Sequence, residues 1–370
     1  MSPTVATRGA PIDAVEARLL PSRLETGLAI VGFELRGDRP LPVVQVRAGR
    51  HVGYGEAPPL PTFTGLDAGA TLAGLRTVAA RLPGRTAREA LVHLHEAPRL
   101  VDTPPPVRCA VDLALHDLIA REENVPVDHL LGPRRAETVP ISRAIGFHDE
   151  DETVRLALGY VGRGVSALKL KVGRDHATDA SVARAVRRAV GDDIEVAIDA
   201  NGSLGVEAAC MLARGLAGLD VAYFEQPVRP GDLAGMATVR ACGIPVVADE
   251  SVFHAGDVVA VHEHGAADIV ALKLIKTGGL RPALEAAREA GRRGLGVTVI
   301  DPLGSALSVQ AGVALATVLP PAGIGHGLSA AFDVHAPHAP HRADPSGALS
   351  ALAGPGFGVE VRWPEEEEAV

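Results

Sequence analysis

The chain is 370 residues long, 47% hydrophobic but only 3% aromatic, with a formal net charge of -9 at pH 7. Its length exceeds one ordinary domain and suits an α/β barrel of roughly 250 residues plus a smaller partner, with a core filled by Ala, Val and Leu. Net acidity without any block of basic residues argues against a nucleic-acid or anionic-membrane surface and leaves small-molecule chemistry.

At the N-terminus, "MSPTVATRGAPIDAVEARLL" holds no apolar run long enough for a signal peptide, and no later segment approaches a membrane span, so a soluble, cytoplasmic protein is expected. Residues 27–56 alternate in strand fashion ("GLAIVGFELRG", "LPVVQVRAG", "HVGYGEA"), and the Pro-rich loop "PPLPTFTG" follows. In "CAVDLALHDLIAREENV" apolar residues recur at three and four positions, as in a helix. These segments read as a small α+β unit. From Val139 the pattern becomes strand, turn and helix, with β signals at "VPISRAIG", "ALKLKVG", "EVAIDANG", "VAYFEQP", "PVVADES", "DIVALKL", "GVTVID" and "GIGHG". Eight such signals separated by Ala-rich helices predict a parallel, TIM-like (β/α)8 barrel, with an eight-stranded doubly wound sheet as the alternative. The expected organisation is an α+β capping domain over 1–135, the barrel over 136–335, and a C-terminal segment, 336–370, that returns to the cap and ends in the solvated tail "WPEEEEAV".

Cys109, Cys210 and Cys242 are odd in number and widely spaced, which fits buried thiols in a reducing compartment rather than a disulfide framework or a zinc site. The pairs and triplets His262, His264 and His335, His338, His341 lie in Pro- and Ala-rich company and are read as surface loops, not ligands.

The strand ends carry the chemistry. Lys169 and Lys171 sit two apart on a predicted strand and so share a face; turned inward, they put two ammonium groups where charge is costly. The next strands end in Asp199 and Asn201 ("AIDAN"), Glu225 ("YFEQP"), Asp249 and Glu250 ("VADES"), then Lys273 and Lys276 ("ALKLIKTGG"). The carboxylates are 26 and 24 residues apart, and Lys273 follows after another 24. Each interval is about one βα unit, so all three acids reach the C-terminal mouth of a barrel, where active sites lie. Hard oxygen ligands on separate rigid strands suit Mg²⁺; a salt-bridge network capping the barrel is the alternative. A lysine beside a divalent cation and a second ammonium has its neutral form favoured and can act as a base; Lys169 is read as the perturbing group and Lys171 as the reacting one.

As an ordered set, "KLK", "DAN", "FEQP", "ADES" and "KLIKTGG" resemble the enolase superfamily, specifically its muconate lactonizing enzyme subgroup, and "GYGEAPPLP" with "AVDLALHDLIAREENVPVDHLLG" resembles that family's capping domain. The resemblance implies Mg²⁺ held by Asp199, Glu225 and Asp249, an acid/base pair of Lys171 and Lys273 on opposite faces of a bound carboxylate, and an enediolate formed by removal of the α-proton. It also implies that Asn201 and Glu250 support these groups and that Lys276 stands behind them. The sequence departs from the pattern at strand seven, where Asp301 follows Ile300, and at strand eight, where His326 stands between two glycines instead of acidic residues. Phe63, Thr64, Arg143 and Asp301 are expected to line the pocket, Arg143 toward a distal anion and Asp301 toward a cation or hydroxyl; the alternative is that Arg143 and Asp301 pair with each other at the rim.

These readings converge on a Mg²⁺-dependent racemase, epimerase or cycloisomerase acting beside a carboxylate, on a small-molecule carboxylate substrate, in a homo-oligomer. An o-succinylbenzoate synthase type of dehydratase would use the same parts, and a non-catalytic metal-binding protein is the reading from a different class.

Overall fold

In a computed structural model, residues 9–30, 33–97, 102–341 and 347–364 are described. The first eight residues of the chain and the acidic run "EEEEAV" at 365–370 lie outside the described residues.

The alternating N-terminal stretches form two antiparallel sheets. Ala14–Leu20, Leu41–Ala48 and His51–Glu56 make one, with Leu41–Ala48 central. Arg23–Ile30 and Phe33–Asp38 pair as a hairpin, extended by Val334–His335 from the far end of the chain. The helix Pro105–Glu123 lies on the strand His51–Glu56. A β-carbon at Gly53 or Gly55 would fall 2.2 Å from the Ala114 carbonyl oxygen or 1.9 Å from that of Ala110, so the glycines of "GYGE" let the helix backbone approach the strand. That helix opens with proline in its first turn and ends at Asn124 in the left-handed region, φ 55°. It is buried around its circumference, with Asp112, His116 and Asp117 enclosed among its apolar residues.

Seven strands follow in one parallel sheet: Ser142–Ile145, Ala167–Lys171, Glu195–Asp199, Val221–Glu225, Val246–Ala248, Ile269–Leu272 and Gly296–Val299, neighbours in space in the order they occur in the chain. A doubly wound sheet requires the strand order to reverse; here it does not, and that alternative falls away. Helices alternate with the strands, and several start on a side-chain cap from Asp149, Asp175, Asp232, His254 or Ser305. The eighth predicted strand is reduced to two isolated parallel bridges, His326 with Ile141 and Gly327 with Ile300. The His326 and Gly327 amides donate to Pro140 and Val299, while those of Ser142 and Asp301 donate back to His326 and Gly327, so this short segment bonds to both edges of the sheet. Glycine suits this close passage: a β-carbon at Gly325 would lie 2.9 Å from the Ser142 nitrogen, and one at Gly327 3.0 Å from Ile300.

The C-terminal residues contact the first sheet. The Arg18 guanidinium lies 5.3 Å from the centre of the Trp363 ring and donates to Pro364, and Arg121 donates to the Val359 carbonyl. Among the described residues no helix is long and apolar enough to cross a membrane. Cys109 and Cys210 are buried, Cys242 is half-buried, and all three are free. His262, His264 and His335 are exposed as expected, but His338 is not a surface residue: it is buried with Nε2 3.4 Å from Glu56, because residues 336–339 pack into the core beneath the Ser305 helix cap.

Candidate active site

Strand register assembles the charged cluster. Lys171 is the register partner of Asp199, and Asp199 that of Glu225, so their side chains share one face of the parallel sheet with Lys169 two residues earlier. Asp249 follows the next strand and Lys273 the one after it. Asp199, Glu225, Asp249, Lys169, Lys273 and Lys276 are all buried. Each ammonium meets a carboxylate: Lys169 Nζ donates to both oxygens of Glu225 at 2.7 and 2.9 Å, Lys171 to Asp199 at 2.5 Å and to the Asn201 side-chain oxygen at 2.7 Å, and Lys273 and Lys276 both to Asp249. Asn201, at φ 46°, also donates to Glu250 at 3.0 Å.

Burial alone would push these groups toward their neutral forms; their neighbours decide otherwise in most cases. For Lys169 the burial penalty is outweighed by Glu225, and for Lys273 by Asp249, so both hold their protons more tightly than an ordinary lysine. Lys276 shifts the other way: burial, with Lys273 beside it, lowers it despite the pull of Asp249. Asp199 and Asp249 are lowered because their lysines overcome burial. Glu225 is pushed up to about 8, by burial and then by Asp199 and Asp249 against the pull of Lys169, and Glu250 to about 7, by burial and then Asp249.

The cluster opens into a pocket whose walls include Lys169, Lys171, Asp199, Asn201, Glu225 and Lys273. Phe63 is there as expected, with Lys273 Nζ 4.0 Å from its ring centre, a cation–π contact. Thr64 is not among the lining residues; its hydroxyl turns back to donate to Leu60 in its own helical turn. Arg143 and Asp301 border the pocket but do not pair with each other. Arg143 is in register with Leu168, one residue off the lysine face, and its guanidinium donates to Asp333 at 2.6 Å and stacks on Tyr160. Asp301 accepts from the Ser308 hydroxyl and from the Gly304 amide at 2.7 Å, and burial pushes it up to about 6. His326 is neutral in character, lowered to about 4 by burial, with Nδ1 accepting from the Val299 amide at 3.0 Å.

Two features escaped the sequence reading. The hairpin strands Arg23–Ile30 and Phe33–Asp38 lend Leu28, Ile30 and Leu35 to the pocket, which Leu60, Ile300 and Leu303 also line; an apolar stretch beside Gly27 was the available signal. Gln226 of "FEQP", at φ 34°, accepts from the Asp249 and Ser251 amides and donates to the Ser251 hydroxyl, and so fixes the strand end that bears Asp249.

The family resemblance implies a metal, and the donor set fits one. Three buried carboxylates rise from adjacent strand ends, all hard oxygen donors, and the neighbouring Glu250 has its Oε2 buried with no hydrogen-bond partner. Among the described residues no three His, Cys, Asp or Glu side chains are already gathered as a cage. The reason is visible: each carboxylate is turned onto a lysine, and ligation requires it to rotate away.

Residues 152–366 match the family described as "Enolase C-terminal domain-like", and residues 25–132 match "Mandelate racemase / muconate lactonizing enzyme, N-terminal domain". The chain is 30% identical over 56% of its length to the N-succinyl-L-Arg/Lys racemase of Bacillus cereus and 33% identical over 74% of its length to muconate cycloisomerase 1 of Rhodococcus opacus, spanning 57% and 76% of those proteins. With the racemase and the next curated relatives, the matched length stays under two thirds of the relative. Its structure is similar to the crystal structure of a dipeptide epimerase from Enterococcus faecalis V583 complexed with Mg and the dipeptide L-Leu-L-Tyr, with a TM-score of 0.88 and 25% identity, covering 95% of this chain and 99% of that one.

Proposed function

The chain belongs to the mandelate racemase / muconate lactonizing enzyme family of enolase-like proteins, and from that premise we propose that it is a Mg²⁺-dependent isomerase, a racemase or epimerase, that removes and returns the proton α to a carboxylate. The observation that carries this reading is the ring of strand-end groups: three buried carboxylates with Lys171 on one flank and Lys273 on the other, three strands of the sheet lying between the two lysine-bearing segments. Asp199, Glu225 and Asp249 would hold the metal. Mg²⁺, when bound, supplies positive charge that stabilises the negative charge developing on the substrate carboxylate.

The chain's own residues do the rest. With Asp249 turned from Lys273 to hold the metal, the partner that raises Lys273 would be withdrawn. One of Lys171 and Lys273, as the free amine, then takes the α-proton from its side of the substrate; the other, as the ammonium, gives a proton to the opposite side, and the roles exchange for the other stereoisomer. Asn201 holds Lys171, and the Phe63 ring faces Lys273, which orients each amine toward the pocket. The substrate's remainder should be apolar, because Leu28, Ile30, Leu35, Leu60, Phe63 and Leu303 form the outer wall while Arg143 and Asp301 are committed to protein partners. The same reading takes the His326–Gly327 segment as the eighth stave of the barrel, keeps the division at 135 and 335, and expects a cytoplasmic homo-oligomer.

The test is a panel of N-acyl amino acids, dipeptides and muconates with Mg²⁺ in ²H₂O, monitored by ¹H NMR. Washout of an α-proton from carboxylates with apolar side chains is the expected result. No exchange from any of them, by protein shown calorimetrically to bind Mg²⁺, would overturn the assignment.

A further inference from the structure

Asp112 is a fully buried carboxylate outside the pocket, on the cap helix Pro105–Glu123. Its partners come from three places. His95 Nε2 lies 2.7 Å from its Oδ2, His116 Nδ1 lies 3.2 Å from its Oδ1, and the Leu280 amide, from the barrel, donates to Oδ1 at 2.7 Å. Leu280 begins the helix Leu280–Arg292, whose N-cap is Gly279, a residue with no side chain to satisfy the first orphan amides. Asp112 therefore supplies that cap from another domain, and its charge suits the positive end of the helix.

This contact is two residues from a short turn that begins at Lys273. Lys273 caps the turn Leu274–Thr277; its carbonyl accepts from the Lys276 and Thr277 amides, and Gly278 and Gly279 close the turn on Leu274. Gly278 and Gly279 have φ 91° and 121°, and a β-carbon at Gly279 would fall 2.3 Å from Asp112 Cγ. The double glycine of "KLIKTGG" is thus shaped by the carboxylate that sits on it. Lys171 has no such dependence: it ends a strand paired on both sides.

We propose that Asp112 is a positioning residue, clamping from the cap the turn that aims Lys273 into the pocket, so that the cap controls one of the two proton-transfer groups and not the other. The role in stereochemistry rests on the proposed function, in which the two lysines serve opposite faces. The clamp itself does not, and it can be read without substrate.

The experiment compares wild type with Asp112→Ala and with the isosteric Asp112→Asn by amide hydrogen exchange and mass spectrometry. Loss of a charge-assisted acceptor should speed exchange of the amides at 276–279 by about tenfold in the alanine variant, less in the asparagine variant, while those at 168–172 change less than about twofold. In parallel, α-proton exchange from N-acetyl-D-leucine and N-acetyl-L-leucine should fall only for the stereoisomer that Lys273→Ala also fails to exchange. Acceleration spread equally over both segments, or absent from both, in the asparagine variant overturns the clamp. Lysine variants that do not divide the stereoisomers would count against the proposed function and leave the amide result to decide the clamp.

Discussion

Leu303 should trade stability for selectivity. It lies in the left-handed region at φ 63° and lines the pocket, in a loop gripped by the cap: Arg39 donates to the Leu303 carbonyl at 2.6 Å, to that of Pro302 at 3.0 Å, and to that of Pro59. A residue with a β-carbon pays about 1–2 kcal/mol for that conformation. Leu303→Gly removes the strain but loses a half-buried leucine, worth about 1 kcal/mol, and gains unfolded-state entropy of about the same size. Net stability should therefore move by less than about 1 kcal/mol, and Leu303→Ala, which keeps the strain and loses the leucine, should be the less stable variant. Catalysis should change more: an apolar wall contact of about 1–3 kcal/mol corresponds to roughly 5- to 150-fold in kcat/KM for substrates with large apolar groups, and little for small ones. The assay pairs urea denaturation with kcat/KM across N-acetyl-alanine, N-acetyl-leucine and N-acetyl-phenylalanine. Destabilisation beyond about 2 kcal/mol in the glycine variant with the substrate ranking unchanged would show that the strain holds structure only.

Asp199→Asn, Glu225→Gln and Asp249→Asn should each abolish α-proton exchange and weaken Mg²⁺ binding by calorimetry while cooperative unfolding persists; full activity in any of them, or activity that survives exhaustive chelation, removes that residue or the metal from the account. Asp301 has its folded pKa raised from 3.8 to about 6, so the folded state holds the proton more tightly, and the stability this contributes is present below pH 3.8 and lost as pH rises through 6. Relative to Asp301→Asn, wild type should therefore lose about 3 kcal/mol between pH 3.5 and 7, and parallel urea-stability profiles would refute that. Arg143→Leu strands the buried Asp333 carboxylate and should destabilise by about 3–5 kcal/mol without reordering the substrate panel; a reordered panel would restore the distal-anion role.

The site was legible wherever strand periodicity alone governs placement. Lys169, Lys171, Asp199, Glu225 and Asp249 converge because alternation and repeating βα intervals dictate it. What could not be read was which partner each side chain would take. Arg143 sits one residue off the lysine face, a matter of register, and finds Asp333, 190 residues away. Asp301 is claimed by Ser308 through the local turn, and Thr64 by Leu60. The apolar wall that Arg23–Ile30 and Phe33–Asp38 lend the pocket depends on a hairpin that docks far along the chain at Val334. The eighth strand was overestimated: "GIGHG" was read as a strand, whereas only two isolated bridges form there, at His326 and Gly327. Its glycines are poor strand formers and serve the close passage of the backbone past Ser142 and Ile300.

The central claim, that Lys171 and Lys273 move protons on opposite faces of one carbon, is tested most directly by stereospecific α-proton exchange in ²H₂O with Mg²⁺. Lys171→Ala should wash out the α-proton of one stereoisomer and Lys273→Ala that of the other, and neither variant should interconvert them. Full racemization by both single variants would contradict the account and return the strand-end ammonium groups to a structural role.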